Sequence, residues 1–244
     1  MTRTLLLVGH GSHLDPNSST PVHVHAARMR RAGQFDEVRV AFWKEEPALS
    51  RALDGCDSDD VTVVPVFISS GYFTEEVIPR EMGLTGRISR VDGRTVRYTA
   101  PIGGHPSLAR VLATRAREAG AATSDGVAVL GHGTGRNANS ERNVFAQAEA
   151  LRATGEFAEV EAVFLDQEPS MHDVLSIMHT ERVFVVPLFI ADGWHVGQTI
   201  PEDLALDGPE TRRGGRVLRY AGAAGTHPAV ADVITTLACE AAQW

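Results

Sequence analysis

The chain has 244 residues, a formal charge of −8 at pH 7, 43% apolar and 22% charged residues, and two cysteines. That length suits one large domain or two small ones with a full core, and ordinary apolar content with 23 Gly and 12 Pro excludes disordered, collagen-like and coiled-coil chains. The acidic balance argues against nucleic-acid binding, no apolar run reaches membrane-spanning length, and Cys56 and Cys239 lack the CxxC spacing of a cysteine-rich metal site.

In chain order, residues 4–8 (TLLLV) read as a buried strand and 19–32 as a helix. The early apolar stretch is too short for a signal peptide, so a cytoplasmic protein is expected. Residues 37–42 read as a second strand, followed by a helix starting at Pro47. A third strand is expected over 61–67 (VTVVPVF), a short helix near 76–83 and a fourth strand over 96–100 (VRYTA). A closing helix over 106–119 has Pro106 in its first turn.

The chain then repeats itself. Gly9-His10-Gly11-Ser12 recurs as Gly131-His132-Gly133-Thr134, and Glu46-Pro47 as Glu168-Pro169. Val63-Val64-Pro65-Val66-Phe67-Ile68 recurs as Val185-Val186-Pro187-Leu188-Phe189-Ile190, and Gly103-Gly104-His105-Pro106 as Gly225-Thr226-His227-Pro228. One ungapped offset of 122 positions serves throughout. About a third of the paired positions are identical, the mark of a tandem duplication. Domains of 1–122 and 123–244 follow. Strand–helix alternation with nearly continuous apolar strands implies parallel sheets covered on both faces. The fold class is therefore α/β, with two tandem flavodoxin-like or Rossmann-like domains related by a pseudo-two-fold. Pro65 and Pro187 lie inside strand patterns, which usually marks an edge or a bulge.

Ligands of parallel sheets bind at the carboxyl ends of the strands. His132 lies there, just after the first strand of the second half, and His195 lies just past the third. Two convergent neutral imidazoles suit a divalent metal such as Fe²⁺, Co²⁺, Ni²⁺ or Zn²⁺, and they suit proton transfer near neutral pH. Either histidine alone is more often a structural hydrogen-bonding group; the pair at neighbouring strand ends favours function. His10 corresponds to His132, whereas the counterpart of His195 is Phe73, so only the second half holds the complete pair. Glu168 is the candidate third ligand or proton relay, with Asp166 and Asp192 weaker ones. An acidic residue at a helix start is also favoured by the helix dipole alone. His105 and His227 read as structural, and His23, His25, His172 and His179 as surface residues. His13, close to His10, either assists at the cleft or is solvated. Cys56, matched by Met178, reads as a small buried apolar group.

No Walker loop, Gly-x-Gly-x-x-Gly fingerprint or Gly-x-Ser-x-Gly elbow is present. The combination of Leu-Val-Gly-His-Gly-Ser, Phe-x-Glu-Val, Val-Val-Pro-Leu-Phe-Ile, Gly-x-His and a later Ile-Pro resembles the CbiX/SirB family of sirohydrochlorin chelatases over essentially the whole chain. The resemblance implies a class II chelatase that inserts Co²⁺ or Fe²⁺ into a siroheme- or cobalamin-pathway macrocycle without ATP, with Ni²⁺ or Zn²⁺ as possible substitutes in vitro. It implies no permanently bound cofactor. Short members carry one such domain and dimerise; long members fuse two, which implies a monomer with an internal pseudo-dimer. The family's metal-handling histidines map onto His132 and His195. In other long members the intact pair lies in the first half, so Phe73 departs from that pattern. Substrate contacts are expected from His10, Phe73, Ser12, Thr134, Trp194 and Arg136, the last able to bind a carboxylate bidentately. Two rivals stand beside this reading: a metal or tetrapyrrole carrier without turnover, and a histidine-using hydrolase or isomerase.

Overall fold

Leu5, Leu6, Leu7 and Val8 are all fully buried, which a strand achieves only when both faces of its sheet are covered. They belong to β1 (Arg3–Gly9), the strand next to the centre of the first sheet. The computed structural model of the chain describes residues 3–13, 16–133, 138–193, 195–208 and 210–244, with the backbone alone at positions 16, 138 and 195. Among these residues no helix is long and apolar enough to cross a membrane.

The chain divides into two compact units, Met1–His105 with Pro228–Trp244, and Pro106–His227. The first holds β1, α1 (Thr20–Ala32), β2 (Glu37–Phe42), β3 (Asp60–Pro65), α2 (Ile78–Met82), β4 (Ile88–Val91) and β5 (Arg94–Tyr98). Its sheet runs in the order β2-β1-β3-β5-β4. The first four strands of that order are parallel, and β4 pairs antiparallel with β5. The second unit holds α3 (Leu108–Glu118), β6 (Gly126–Gly131), α4 (Ala138–Arg152), β7 (Glu159–Phe164) and α5 (Val174–Ile177). It continues with β8 (Arg182–Pro187), α6 (Ile200–Asp203), β9 (Glu210–Arg213) and β10 (Arg216–Tyr220), in the corresponding order β7-β6-β8-β10-β9. In both sheets the winding reverses between the first and third strands of the repeat, the switch point where open α/β sheets bind ligands.

The compact units are not the sequence halves 1–122 and 123–244, because the closing helices are exchanged. Helix α3, written in the first repeat, packs on α4 and β8 in the second unit; α7 (Val230–Ala241) packs on α1 and β3 in the first. Arg115 of α3 donates to Ala223 O at 3.2 Å and Thr226 Oγ1 at 2.6 Å, and Arg219 donates to Ala119 O at 2.8 Å. Buried residues Leu108, Val111, Leu112 and Ala116 form the inner stripe of α3, so burial holds the helix in its unit as well. At the crossovers, a Cβ on Gly103 would stand 1.9 Å from Ile68 O, and one on Gly225 2.3 Å from Ile190 Cα. Only glycine fits that approach.

Other expectations need correction. No α-helix starts at Pro47: the Glu46–Pro47 bond is cis and a single 3-10 turn, Leu49–Arg51, follows. The edge strands β4 and β9 were not expected, nor was the five-residue π-helical turn Phe73–Val77 that leads into α2. Pro65 lies at the end of the internal strand β3, not on an edge. Val66 N donates to Val8 O at 2.8 Å, so by alternation Pro65 N faces β5, whose pairing has ended at Val63–Tyr98. His25 is fully buried, not on the surface, because it shares the face of α1 that carries Val22, Ala26 and Met29.

Candidate functional site

In the second unit the backbone turns at once after β6. Gly133 takes φ +74°, and a Cβ there would meet Gln167 Cγ at 2.6 Å, so only glycine lets the loop close. Asp166 N donates to His132 O at 3.0 Å, which ties this loop to the end of β7. His132 Nδ1 lies 3.0 Å from Gly133 O and 3.2 Å from Asp166 Oδ2. A carbonyl and a carboxylate only accept, so Nδ1 carries the proton. Metal-handling imidazoles are generally oriented in this way, with one nitrogen held by a carboxylate or carbonyl. Both side chains are largely exposed.

The third strand of this sheet, β8, leads to a π-helical turn, His195–Thr199, that runs into α6. Such turns are rare and recur at functional sites. Tyr220, ending β10, donates its hydroxyl to Val196 O at 3.0 Å, next to His195 in the turn. Burial, with the Asp192 carboxylate adding to it, pushes the Tyr220 phenol well above its ordinary pKa, so it stays a proton donor to that carbonyl. The strand order makes β6 and β8 neighbours, so the backbone segments carrying His132 and His195 leave adjacent strand ends.

The first unit repeats the scaffold with different chemistry. His10 Nδ1 lies 2.7 Å from Gly11 O, and Lys44 N donates to His10 O at 2.8 Å. Phe73 opens the π-helical turn, its ring edge-on to His10 with centroids 4.5 Å apart. Tyr98 donates to Thr74 O at 2.7 Å, as Tyr220 does to Val196 O. The offset that pairs His10 with His132 also pairs Lys44 with Asp166 and Glu45 with Gln167. His10, Ser12, His13, Ser18 and Lys44 line an open pocket of about 490 Å³.

Glu168 accepts Ser170 N at 3.0 Å, a local turn contact matched by Glu46 and Ala48 N. The carboxylate at His132 is instead Asp166. Asp192 accepts Ala223 N at 2.9 Å. Among the described residues no three His, Cys, Asp or Glu side chains gather as a metal cluster. Thr134, Arg136 and Trp194 lie outside the described residues, as does the side chain of His195. Sequence reasoning missed Lys44, although the offset that exposed Phe73 sets it against Asp166.

The CbiX family model matches twice, over residues 4–119 and 126–241. A Halobacterium salinarum protein described as a probable sirohydrochlorin cobaltochelatase is 42% identical, the match spanning 98% of this chain and 91% of the relative. A solved Deinococcus radiodurans structure, described as a multi-domain protein similar to chelatases with two additional domains, is 34% identical with a TM-score of 0.87. The match covers 98% of this chain and 55% of that protein. The sirohydrochlorin chelatase SirB of Bacillus subtilis, solved in complex with cobalt, is 20% identical with a TM-score of 0.74. That match covers 100% of this chain and 96% of the other and is a likeness of fold.

Proposed function

The chain belongs to the CbiX family, and we propose that it is a cytoplasmic chelatase inserting Co²⁺ or Fe²⁺ into sirohydrochlorin without ATP. The observation that carries this reading is His132, whose Nδ1 is engaged by Gly133 O and Asp166 in the loop that leaves β6 at the switch point. Insertion exchanges two pyrrole protons for a dication, so charge balances, and this reading takes it to proceed without phosphoryl transfer. The absence of a Walker loop from the sequence agrees with that. His132 and His195 are the proposed pair that delivers the metal and accepts the protons, a role imidazole fills near neutral pH. Asp166 orients His132 and adds negative charge beside the metal, and Glu168 is the proposed capture ligand on the same segment. His10, Ser12, Phe73, Thr134, Arg136 and Trp194 are the proposed macrocycle contacts. The two repeats replace the two subunits of a short-form dimer, so the chain is expected to work as a monomer.

The test is an anaerobic assay following the macrocycle absorbance with sirohydrochlorin and Co²⁺ or Fe²⁺. Many turnovers per chain are expected, with His132→Ala and His195→Ala each slowing insertion by about 10²-fold. A shift that stops at one equivalent identifies a carrier, and full activity in both histidine variants rejects the site. Asp166→Asn is expected to lower kcat more than Glu168→Gln, because only Asp166 touches His132.

A further inference from the structure

Lys44 is the single lysine of the chain; its other 22 cationic side chains are arginines. That lysine lines the pocket that also holds His10, Ser12, His13 and Ser18. Its ammonium lies 5.1 Å from the centroid of the Trp43 ring, and no described carboxylate pairs with it. The nearby Glu45 carboxylate accepts Ser12 N at 3.1 Å and stands 4.0 Å from His23 Nε2.

Two differences between the repeats point the same way. Where the second has Asp166, the first has Lys44; where the second has His195, the first has Phe73. Each removes a group that attracts a divalent cation, and Lys44 adds one that repels it. The pocket retains two imidazoles, His10 and His13, two serine hydroxyls and a cation, the usual donors to a carboxylate. Beside them the half-buried Phe73 ring, roughly parallel to Phe67 at 6.4 Å, offers an apolar wall. A cation and hydroxyls next to an aromatic face recognise an acidic side chain carried on a flat unsaturated ring.

Resting on the chelatase reading, we propose that this pocket of the first unit is a subsite for carboxylate side chains of the macrocycle, with Lys44 as its main contact, and not a second metal site.

Because Lys44 is the only lysine, an amine-acetylating reagent has two targets, Lys44 and the terminal amine. With sirohydrochlorin at a concentration that saturates an optical titration, acetylation of Lys44 is expected to slow about fivefold or more while the terminal amine reacts at its usual rate. Co²⁺ alone is expected to give no protection. In the insertion assay Lys44→Gln is expected to raise KM for sirohydrochlorin by about five- to tenfold with kcat within about twofold, and Lys44→Arg to recover most of the loss. A chain that binds no macrocycle in the titration overturns both the chelatase reading and the subsite. A chain that binds it yet leaves Lys44 fully reactive, or keeps its KM in Lys44→Gln, overturns the subsite alone.

Discussion

His227 Nε2 lies 3.2 Å from Glu118 Oε1, and the same pair recurs at His105 and Glu240 at 3.3 Å. Each histidine closes the chain path of its own unit, and each glutamate sits on the exchanged helix, α3 or α7. The side chain of His227 is 7% exposed and that of Glu118 56%, so solvent competes for the carboxylate and the packed ring carries most of the anchoring. His227→Ala is expected to cost about 1 kcal/mol and to speed amide exchange in α3 while α7 keeps its protection. His105→Ala is expected to do the reverse. Hydrogen-exchange mass spectrometry reads both, and equal acceleration of the two helices by either variant would count against the anchoring role.

Tyr220 holds the turn that carries His195 by a hydrogen bond from its hydroxyl to Val196 O. Its removal therefore affects chemistry by displacing the turn, not by losing a reacting group. Tyr220→Phe keeps the partly buried ring and deletes the hydroxyl, leaving a carbonyl of the π-helical turn without that donor. We expect kcat to fall about tenfold with KM for the macrocycle changed less than twofold, since one hydrogen bond is lost and the apolar packing is retained. Tyr98→Phe, the same deletion at the turn of Phe73, is expected to leave kcat nearly unchanged. Equal losses in the two variants would make both tyrosines merely structural.

Much of the sheet is legible in the sequence because buried parallel strands leave few polar interruptions: 37–42 coincides with β2, and 19–32 overlaps α1 almost throughout. The edge strands are harder to read because β4 and β9 have four residues each and β9 is wholly polar. Their signals are the two-residue turns Asp92-Gly93 and Gly214-Gly215, all four residues at positive φ, which join Val91 to Arg94 and Arg213 to Arg216 as tight hairpins. The exchange of α3 and α7 leaves no mark in periodicity, because an amphipathic helix reads the same whichever copy of a duplicated sheet it covers. At the site, the repeat places His132 and the backbone of His195 after neighbouring strands, but it does not single out Asp166 as the carboxylate beside His132. Contact with His132 depends on how the loop after β7 folds back, and spacing does not encode that.

Glu159 predicts how the second unit responds to acid. Its carboxylate accepts His179 N at 2.7 Å and Thr180 N at 3.2 Å, and lies 3.1 Å from His179 Nδ1. Partial burial works to raise its pKa, but the hydrogen bonds from His179 and Thr180 outweigh it and hold the carboxyl below the ordinary range. A depressed folded-state pKa gives stability that is fully present above the unfolded pKa and lost as pH falls through the folded one. Chemical denaturation from about pH 6 to about pH 3 is therefore expected to show a steeper loss in the wild type than in Glu159→Gln. Parallel slopes in the two proteins would remove Glu159 from the acid response.

Phe73 decides whether the first unit could regain a metal site. Its ring is half-buried, edge-on to His10 at 4.5 Å and 5.7 Å from Tyr72. Phe73→Ala is thus expected to cost about 1–2 kcal/mol, below the roughly 3–5 kcal/mol of a full core deletion. It is expected to weaken sirohydrochlorin binding by about two- to tenfold, the worth of one stacking contact. Restoring an imidazole alone is not enough. In Phe73→His, Lys44 still stands beside His10, and its charge opposes a dication where the second repeat has Asp166. Calorimetry of Phe73→His should therefore give the same Co²⁺ stoichiometry as the wild type. The double variant Lys44→Asp with Phe73→His should gain one equivalent, since it copies the His132, Asp166 and His195 set at matching positions. If the single variant gained that equivalent as tightly as the double, Lys44 would have no part in keeping the metal out.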